Sequence, residues 1–295
     1  MRAAAGLLHG LEQVSQIMPE AAIAAPYRLV PTRYGAMLVN SNDIFLGQAY
    51  LRYGECCQHE IDLLLSLLRF PGIAIDIGAN MGAHTVPVAI ELARQGRSML
   101  ALEPQPVIFQ QLCANLALNG LMNVLALPYA CGSQPGVLSF TAPDYRREGN
   151  FGGVSMSAQG GISAVITAPC HTLDELVQQT QVALIKIDVE GYELEVLKGA
   201  SNTIARQHPA MYIENDRIEK STPLIQWLMD HEYRLWWHIS SLYNPNNFLQ
   251  NKENAYGSTG SFNMLCLHRN CSLKIEGSDE ITDPTYHPMA ALTPA

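Results

Sequence analysis

The chain is predicted to be an α/β protein with a mostly parallel sheet covered by helices on both faces. From residue 73 onward, short apolar runs alternate with helical segments, the pattern of repeated βαβ units. The runs also end in polar residues and glycine-bearing turns, as GIAIDIG does. Ligands of open parallel sheets gather beyond those strand ends. Hydrophobic residues make up 48% of the 295, and charged residues 15%, a balance that supplies a full core.

The elements follow in order. Residues 1–25 read as a short helix and a lead-in to Pro26. YRLVPTRYGAMLVN and DIFLGQAYL are rich in β-branched and aromatic residues, and Asn-Ser-Asn-Asp turn chemistry between them predicts a β-hairpin across 27–50. CQHEIDLLLSLLR carries a helical stripe that Pro71-Gly72 stops. GIAIDIG is then the first strand of the parallel unit, and AHTVPVAIELARQG its helix, with Pro87 near the start where a missing N–H is tolerated. SMLALEP, NVLALPYACG, VALIKIDVEG, AMYIEND and YRLWWHI are strands two to six, and SFNMLCLHR a last, antiparallel one. VIFQQLCANLALNG is the second helix, ended by Asn119-Gly120. The Gly- and Ser-rich insert 132–170 contains short strands near 137–141 and 162–167, and Thr172 with Glu175 forms a capping box.

Composition excludes several classes. The net charge is −9 and the isoelectric point about 5.4, which disfavours a nucleic-acid backbone as partner. Seven cysteines without a CxxC pair argue against a disulfide framework or a paired-cysteine zinc site. No apolar run approaches the ~18 residues of a membrane span. A cytoplasmic protein with no membrane partner is expected, with homodimerisation left open.

The most informative segment is IDIGANMGAHT. Asp76 closes the first strand, and Gly78, Asn80 and Gly82 follow at alternate positions before a helix. Glycine permits positive φ and close backbone approach, and a helix N-terminus offers free N–H groups to an anion. A dinucleotide loop needs glycines at the first, third and sixth places, whereas GANMGA has them at the first and fifth. An NAD-dependent dehydrogenase is therefore disfavoured. The pattern D-x-G-x-N-x-G instead resembles the S-adenosylmethionine loop of class I methyltransferases, in which the second strand ends in an acid that takes both ribose hydroxyls, and Glu103 stands at that place.

IDIGANMGAHT, LALEP, NGLMNV, LIKIDVEGYELEVLKGA and YIENDR occur together in this order. With them the chain resembles the FkbM family of S-adenosylmethionine-dependent methyltransferases, over roughly residues 50–267. The resemblance implies a Rossmann-like class I fold with a seven-stranded sheet in the order 3-2-1-4-5-7-6. It also implies an O-methyltransferase acting on a sugar, glycan or secondary-metabolite hydroxyl. An N-methyltransferase is the alternative, and a non-catalytic glycan-binding protein a more distant one. An extension over 1–70 is expected to cover the site, ahead of a methyltransferase domain over 71–272 and a loose tail over 273–295. Cys56-Cys57 depart from the bulkier or polar residues of relatives.

Carried onto this chain, the resemblance implies a cofactor site of Asp76, Gly78, Asn80, Gly82, His84, Thr85, Glu103, Pro104, Tyr129, Ala130 and Asp188. An aliphatic hydroxyl has a pKa near that of water, about 15.7, so its methylation needs a base or a metal. His238, after strand six, is the first choice for base, since imidazole titrates near neutrality. Asp188 and Glu214 share the catalytic rim, and His59 and His84 are lesser candidates. With Asn215, Asp188 and Glu214 make a candidate Mg²⁺ site, by similarity to catechol-type methyltransferases. Glu55, Asn150, Phe151, Glu190, Asn215, Trp237 and Asn244 are candidate acceptor-binding residues. Glu60 is read either as folding over the pocket or as part of a solvated face.

Overall fold

The structure, a computed structural model, describes residues 23–141, 143–154 and 165–291. The helix expected before residue 23 and the middle of the Gly- and Ser-rich insert lie outside the described residues. Among the described residues, seven strands form the main sheet: β3 (Ile73–Ile77), β4 (Met99–Leu102), β5 (Val124–Leu127), β9 (Val182–Ile187), β10 (Ala210–Glu214), β11 (Tyr233–Ser241) and β12 (Gly260–His268). Their spatial order is β5-β4-β3-β9-β10-β12-β11, which is 3-2-1-4-5-7-6 counted along the chain. β3, β4, β5, β9 and β10 pair in parallel, and β12 runs antiparallel to both neighbours. The order reverses between β3 and β9, so the space beyond their carboxyl ends is the natural ligand crevice.

Alternation along the strands divides the core into two layers. Ile75, Ile77, Ile185, Ile187, Met211 and Ile213 face one side. There they meet α5 (Leu173–Val177), α6 (Glu193–Gly199), α7 (Ser201–Gln207) and α8 (Ile218–Asp230) through Leu173, Val196, Ile204 and Leu224. Ala74, Met99, Leu184 and Tyr212 face the other, against α2 (Gln58–Leu67) and α3 (Thr85–Arg94). The capping box at Thr172 and Glu175 forms as the spacing predicts.

The hairpin does form, but in a different register from the one expected. β1 (Tyr27–Thr32) pairs with β2 (Gly35–Asn40) around Arg33-Tyr34, and residues 46–53 are a helix, α1 (Leu46–Tyr53). Its buried positions, Ala49, Tyr50 and Tyr53, recur at helical spacing, so packing against Met81, Val86 and Leu112 overrides the strand-like composition. The outer edge of β2 is closed by α4 (Pro106–Leu118) and the residue that ends it. Asn115 Oδ1 accepts from Leu38 N at 2.6 Å, and Asn119 Oδ1 from Ala36 N at 3.1 Å, while both amide nitrogens donate back to β2 carbonyls. Side-chain amides thus take the place of a neighbouring strand.

The expected third strand splits. Val124–Leu127 stays in the main sheet, while β6 (Ala130–Cys131) joins β7 (Gly136–Thr141) and β8 (Val165–His171) in a separate sheet. The segment expected as a loose tail is anchored: Ile281 is buried in the core, and His287 Nε2 lies 2.9 Å from the carbonyl oxygen of Asn215. Among the described residues, no helix is long and apolar enough to cross a membrane.

Candidate active site

A cavity of about 190 Å³ opens beyond the carboxyl ends of β3, β4, β9 and β10. Gly78, Asn80, His84, Glu103, Pro104, Asp188, Glu190 and Glu214 line it. Glu103 is 3% exposed; its Oε2 accepts from Asn80 N at 2.9 Å and its Oε1 from Gln105 N at 2.8 Å. Each oxygen keeps a further lone pair for another donor. Burial raises its pKa to about 7, against the pull of those two N–H groups and of Lys186. Gln105, in turn, donates to the Phe151 carbonyl and accepts from the Tyr145 hydroxyl, which straps the 144–153 loop over this corner.

The turn after β3 is shaped by the protein itself as much as by any ligand. Gly78 has φ +80°, and a Cβ there would stand 1.8 Å from the Asp188 carbonyl oxygen. Asp76 and Thr85 are fully buried and do not line the cavity. Thr85 Oγ1 donates to Asp76 Oδ2 at 2.6 Å, and Lys186 Nζ lies 3.1 Å from Asp76 Oδ1 and 3.3 Å from Asp188 Oδ2. Lys186 also donates to the Gly78 carbonyl at 2.9 Å. Burial disfavours its charge, but Asp188 and Asp76 outweigh burial, and its pKa moves up. These bonds set Asp76, Thr85 and Lys186 as a brace beneath the turn. Gly82, packed on Leu112, does not line the cavity either.

Asp188, Glu190 and Glu214 converge on the opposite rim, with one carboxylate oxygen of each within 4.8 Å of the others. Burial and then the neighbouring Asp188 push Glu190 up to about 8, even with Arg217 bonded to it. Burial followed by Asp188 and Glu190 holds Glu214 well above the usual carboxylate range, and its buried Oε2 has no hydrogen-bond partner among the described residues. Such a group of acids favours an incoming cation and retains protons without one.

Asn215, expected with the acids, is not brought to them: its Nδ2 donates to Ser221 Oγ at 2.9 Å, because successive residues at the end of β10 point to opposite faces. Glu190 stands in its place. His238 does not line the cavity; its Nδ1 lies 2.8 Å from the Tyr212 hydroxyl, and burial lowers its pKa. Tyr129 and Ala130 are also outside the lining: Tyr129 rests on His171, and Ala130 sits in the small sheet.

Glu55 and Asn244 form a structural clamp. Glu55 accepts from Arg33 Nε at 2.7 Å, Asn244 Nδ2 at 2.7 Å and Phe248 N at 2.8 Å. Trp237 packs edge-on against His287 at 4.9 Å, and Phe151 is buried against Tyr145. Among the expected acceptor residues, Asn150 and Glu190 line the cavity.

Sequence reading left Glu60, Cys57, Lys186 and Gln105 without firm roles. Glu60 is buried; its Oε2 lies 3.0 Å from His84 Nε2, and its Oε1 accepts from Ser240 at 3.1 Å and from Ser261. Burial works against the charges of this pair, but their mutual bond lowers the pKa of Glu60, while Cys57 and Glu60 raise that of His84 to about 10. A lysine inside the apolar run VALIKI is the available signal for Lys186, since an interior lysine requires a counter-ion.

Residues 76–235 match the family described as the methyltransferase FkbM domain. Hexuronic acid methyltransferase AglP of Haloferax volcanii is 31% identical over 150 residues, which cover 50% of this chain and 57% of that protein. The chain thus spans little more than half the length of that curated relative. Among solved structures, an FkbM methyltransferase from Methylobacillus flagellatus is 16% identical at a TM-score of 0.45, covering 68% of this chain and 45% of that one. A precorrin-6y C5,15-methyltransferase from Geobacter metallireducens is 16% identical at 0.43, covering 72% and 87%.

Proposed function

The chain belongs to the FkbM methyltransferase family, and from that premise we propose that it transfers a methyl group from S-adenosylmethionine to a hydroxyl of a sugar. The carrying observation is Glu103. Its buried carboxylate is held at the end of β4 by two backbone N–H groups, with its free lone pairs suited to a ribose diol. The rim acids fit the other end of the donor, because the orphaned Oε2 of Glu214 and the crowding of Asp188 and Glu190 favour a cation such as a sulfonium.

When bound, S-adenosylmethionine supplies an electrophilic methyl group. The protein's part is to align an acceptor oxygen behind it, which can contribute roughly 7–11 kcal/mol, and to take the hydroxyl proton. Glu214 and Glu190 suit that second task better than His238. They line the cavity, and a raised pKa makes each a stronger base once ionised. The same trio, without Asn215, is the set that would hold Mg²⁺ if the reaction used one.

A sugar acceptor is supported by the name of the Haloferax relative and by amides at the cavity wall, Asn150 and Asn263, which suit several hydroxyls. Calorimetry with S-adenosylhomocysteine tests the donor. Wild type binds, and Glu103→Ala, which removes two charge-assisted bonds of about 1.5–3 kcal/mol each, binds at least ~100-fold more weakly. Label transfer from methyl-labelled donor to matched glucosides and glucuronides, with and without EDTA, tests the acceptor. Wild-type binding of NAD in place of S-adenosylhomocysteine would refute the reading.

A further inference from the structure

Cys57, Glu60 and His84 line the same cavity and form a second group of ligand-type side chains, distinct from the acidic trio. Cys57 and Glu60 come from the start of α2, and His84 from the turn ahead of α3. One donor atom of each lies within 4.8 Å of the other two. In a tetrahedral zinc site, bonds of about 2.0–2.3 Å place donor atoms about 3.3–3.5 Å apart. Side-chain adjustments of about 1 Å would therefore close the three around one ion.

The donor types are selective. A thiolate, an imidazole and a carboxylate together suit a borderline divalent ion such as Zn²⁺, whereas Mg²⁺ and Ca²⁺ take oxygen. The surroundings are those of oriented ligands. Ser240 and Ser261 hold the second oxygen of Glu60, and Cys56 Sγ lies 2.9 Å from Cys57 Sγ, within reach to hydrogen-bond it. Three protein ligands leave a fourth position, and all three residues line the cavity.

The geometry points to a zinc-type site, Cys57–Glu60–His84, that holds one divalent ion with an open position toward the cavity. An ion there acidifies a hydroxyl bound to it, which is the activation that methylating an aliphatic alcohol requires. That use rests on the methyl-transfer reading, but the site itself does not.

Cobalt(II) is the probe, because tetrahedral cobalt absorbs in the visible and a cobalt–thiolate bond adds a near-ultraviolet charge-transfer band. The full chain, stripped with EDTA, is titrated with Co²⁺ and then with Zn²⁺. One equivalent of cobalt should develop both bands, and zinc should abolish them. Cys57→Ser should lose the charge-transfer band, His84→Ala should weaken cobalt binding at least about tenfold, and Cys113→Ser should leave the spectrum unchanged. Should Cys57→Ser not fold, Glu60→Gln takes its place and must shift the visible band. Absence of a thiolate band in wild type, or its persistence in folded Cys57→Ser, overturns the site. S-adenosylhomocysteine binding measured on the same samples fails or succeeds independently of these bands, so the two readings fall separately.

Discussion

The Cβ that Gly78 lacks would lie 1.8 Å from the carbonyl oxygen of Asp188, so the ends of β3 and β9 touch through a hole the size of one methyl group. The same two residues bound the cavity, and Lys186 ties them by bonding both the Gly78 carbonyl and the Asp188 carboxylate.

Gly78→Ala should therefore cost at least about 3 kcal/mol, from forcing alanine to positive φ and displacing backbone. Gly120→Ala is the control. Gly120 also has positive φ, +65°, but none of the described residues lies within 4 Å of its Cβ position, so only the conformational cost of about 1–2 kcal/mol remains. Equal losses in urea denaturation would show that the close approach is relieved at no cost.

Lys186→Met strands Asp76, which is fully buried, without its cation. Breaking one side of a buried pair costs about 3–5 kcal/mol. Adding Asp76→Asn should recover part of that loss, with non-additivity of about 1 kcal/mol or more in the double-mutant cycle.

Stability of the ligand-free protein should fall as pH rises from about 5 to 8. Glu103 and Glu190 have folded pKa values of about 7 and about 8, both above the ordinary glutamate value of 4.5. The folded state therefore holds protons that the unfolded state has released. Their contribution is complete below about 4.5 and disappears as pH passes through 7 and 8. Glu214→Gln removes an ionisable group from the trio and should raise Tm near the upper end by about 2–4 °C, the shift that ~1 kcal/mol gives in a large domain. A Glu214→Gln protein that melts at or below the wild-type temperature there would contradict the crowding of the three acids.

The choice of base separates two variants. His238→Ala should lower kcat less than about tenfold, since the imidazole is bonded to Tyr212 and lies outside the cavity lining. Glu214→Gln should lower kcat by ~10²–10⁴ with donor affinity less affected. Single-turnover methyl transfer with saturating donor distinguishes them, and the reverse ranking would restore the histidine.

Periodicity and turn chemistry are local, so they carried much of the fold. The strand–turn–helix pattern from Ile73 to Arg94, the acid at the end of β4 and the capping box at Thr172 could all be read along the chain. The distinctive stretch around LIKIDVEGYELEVLKGA brought the family into view before any geometry. Composition misled where packing took over: DIFLGQAYL looks like a strand, yet burial of Ala49, Tyr50 and Tyr53 makes it helical.

What the sequence determined by itself is the order of the elements and the positions of Gly78, Glu103 and Asp188 at strand ends, because hydrophobic period and turn residues act between near neighbours. Only the tertiary structure decided that Glu60 meets His84, that Lys186 braces Asp76, that Glu190 and not Asn215 joins Asp188 and Glu214, and that His238 faces Tyr212. Each of those pairings depends on which face of a strand or helix meets which neighbour. Burial then fixes the partners, since a charge removed from water must find its counterpart in space, however far away that residue stands in the chain.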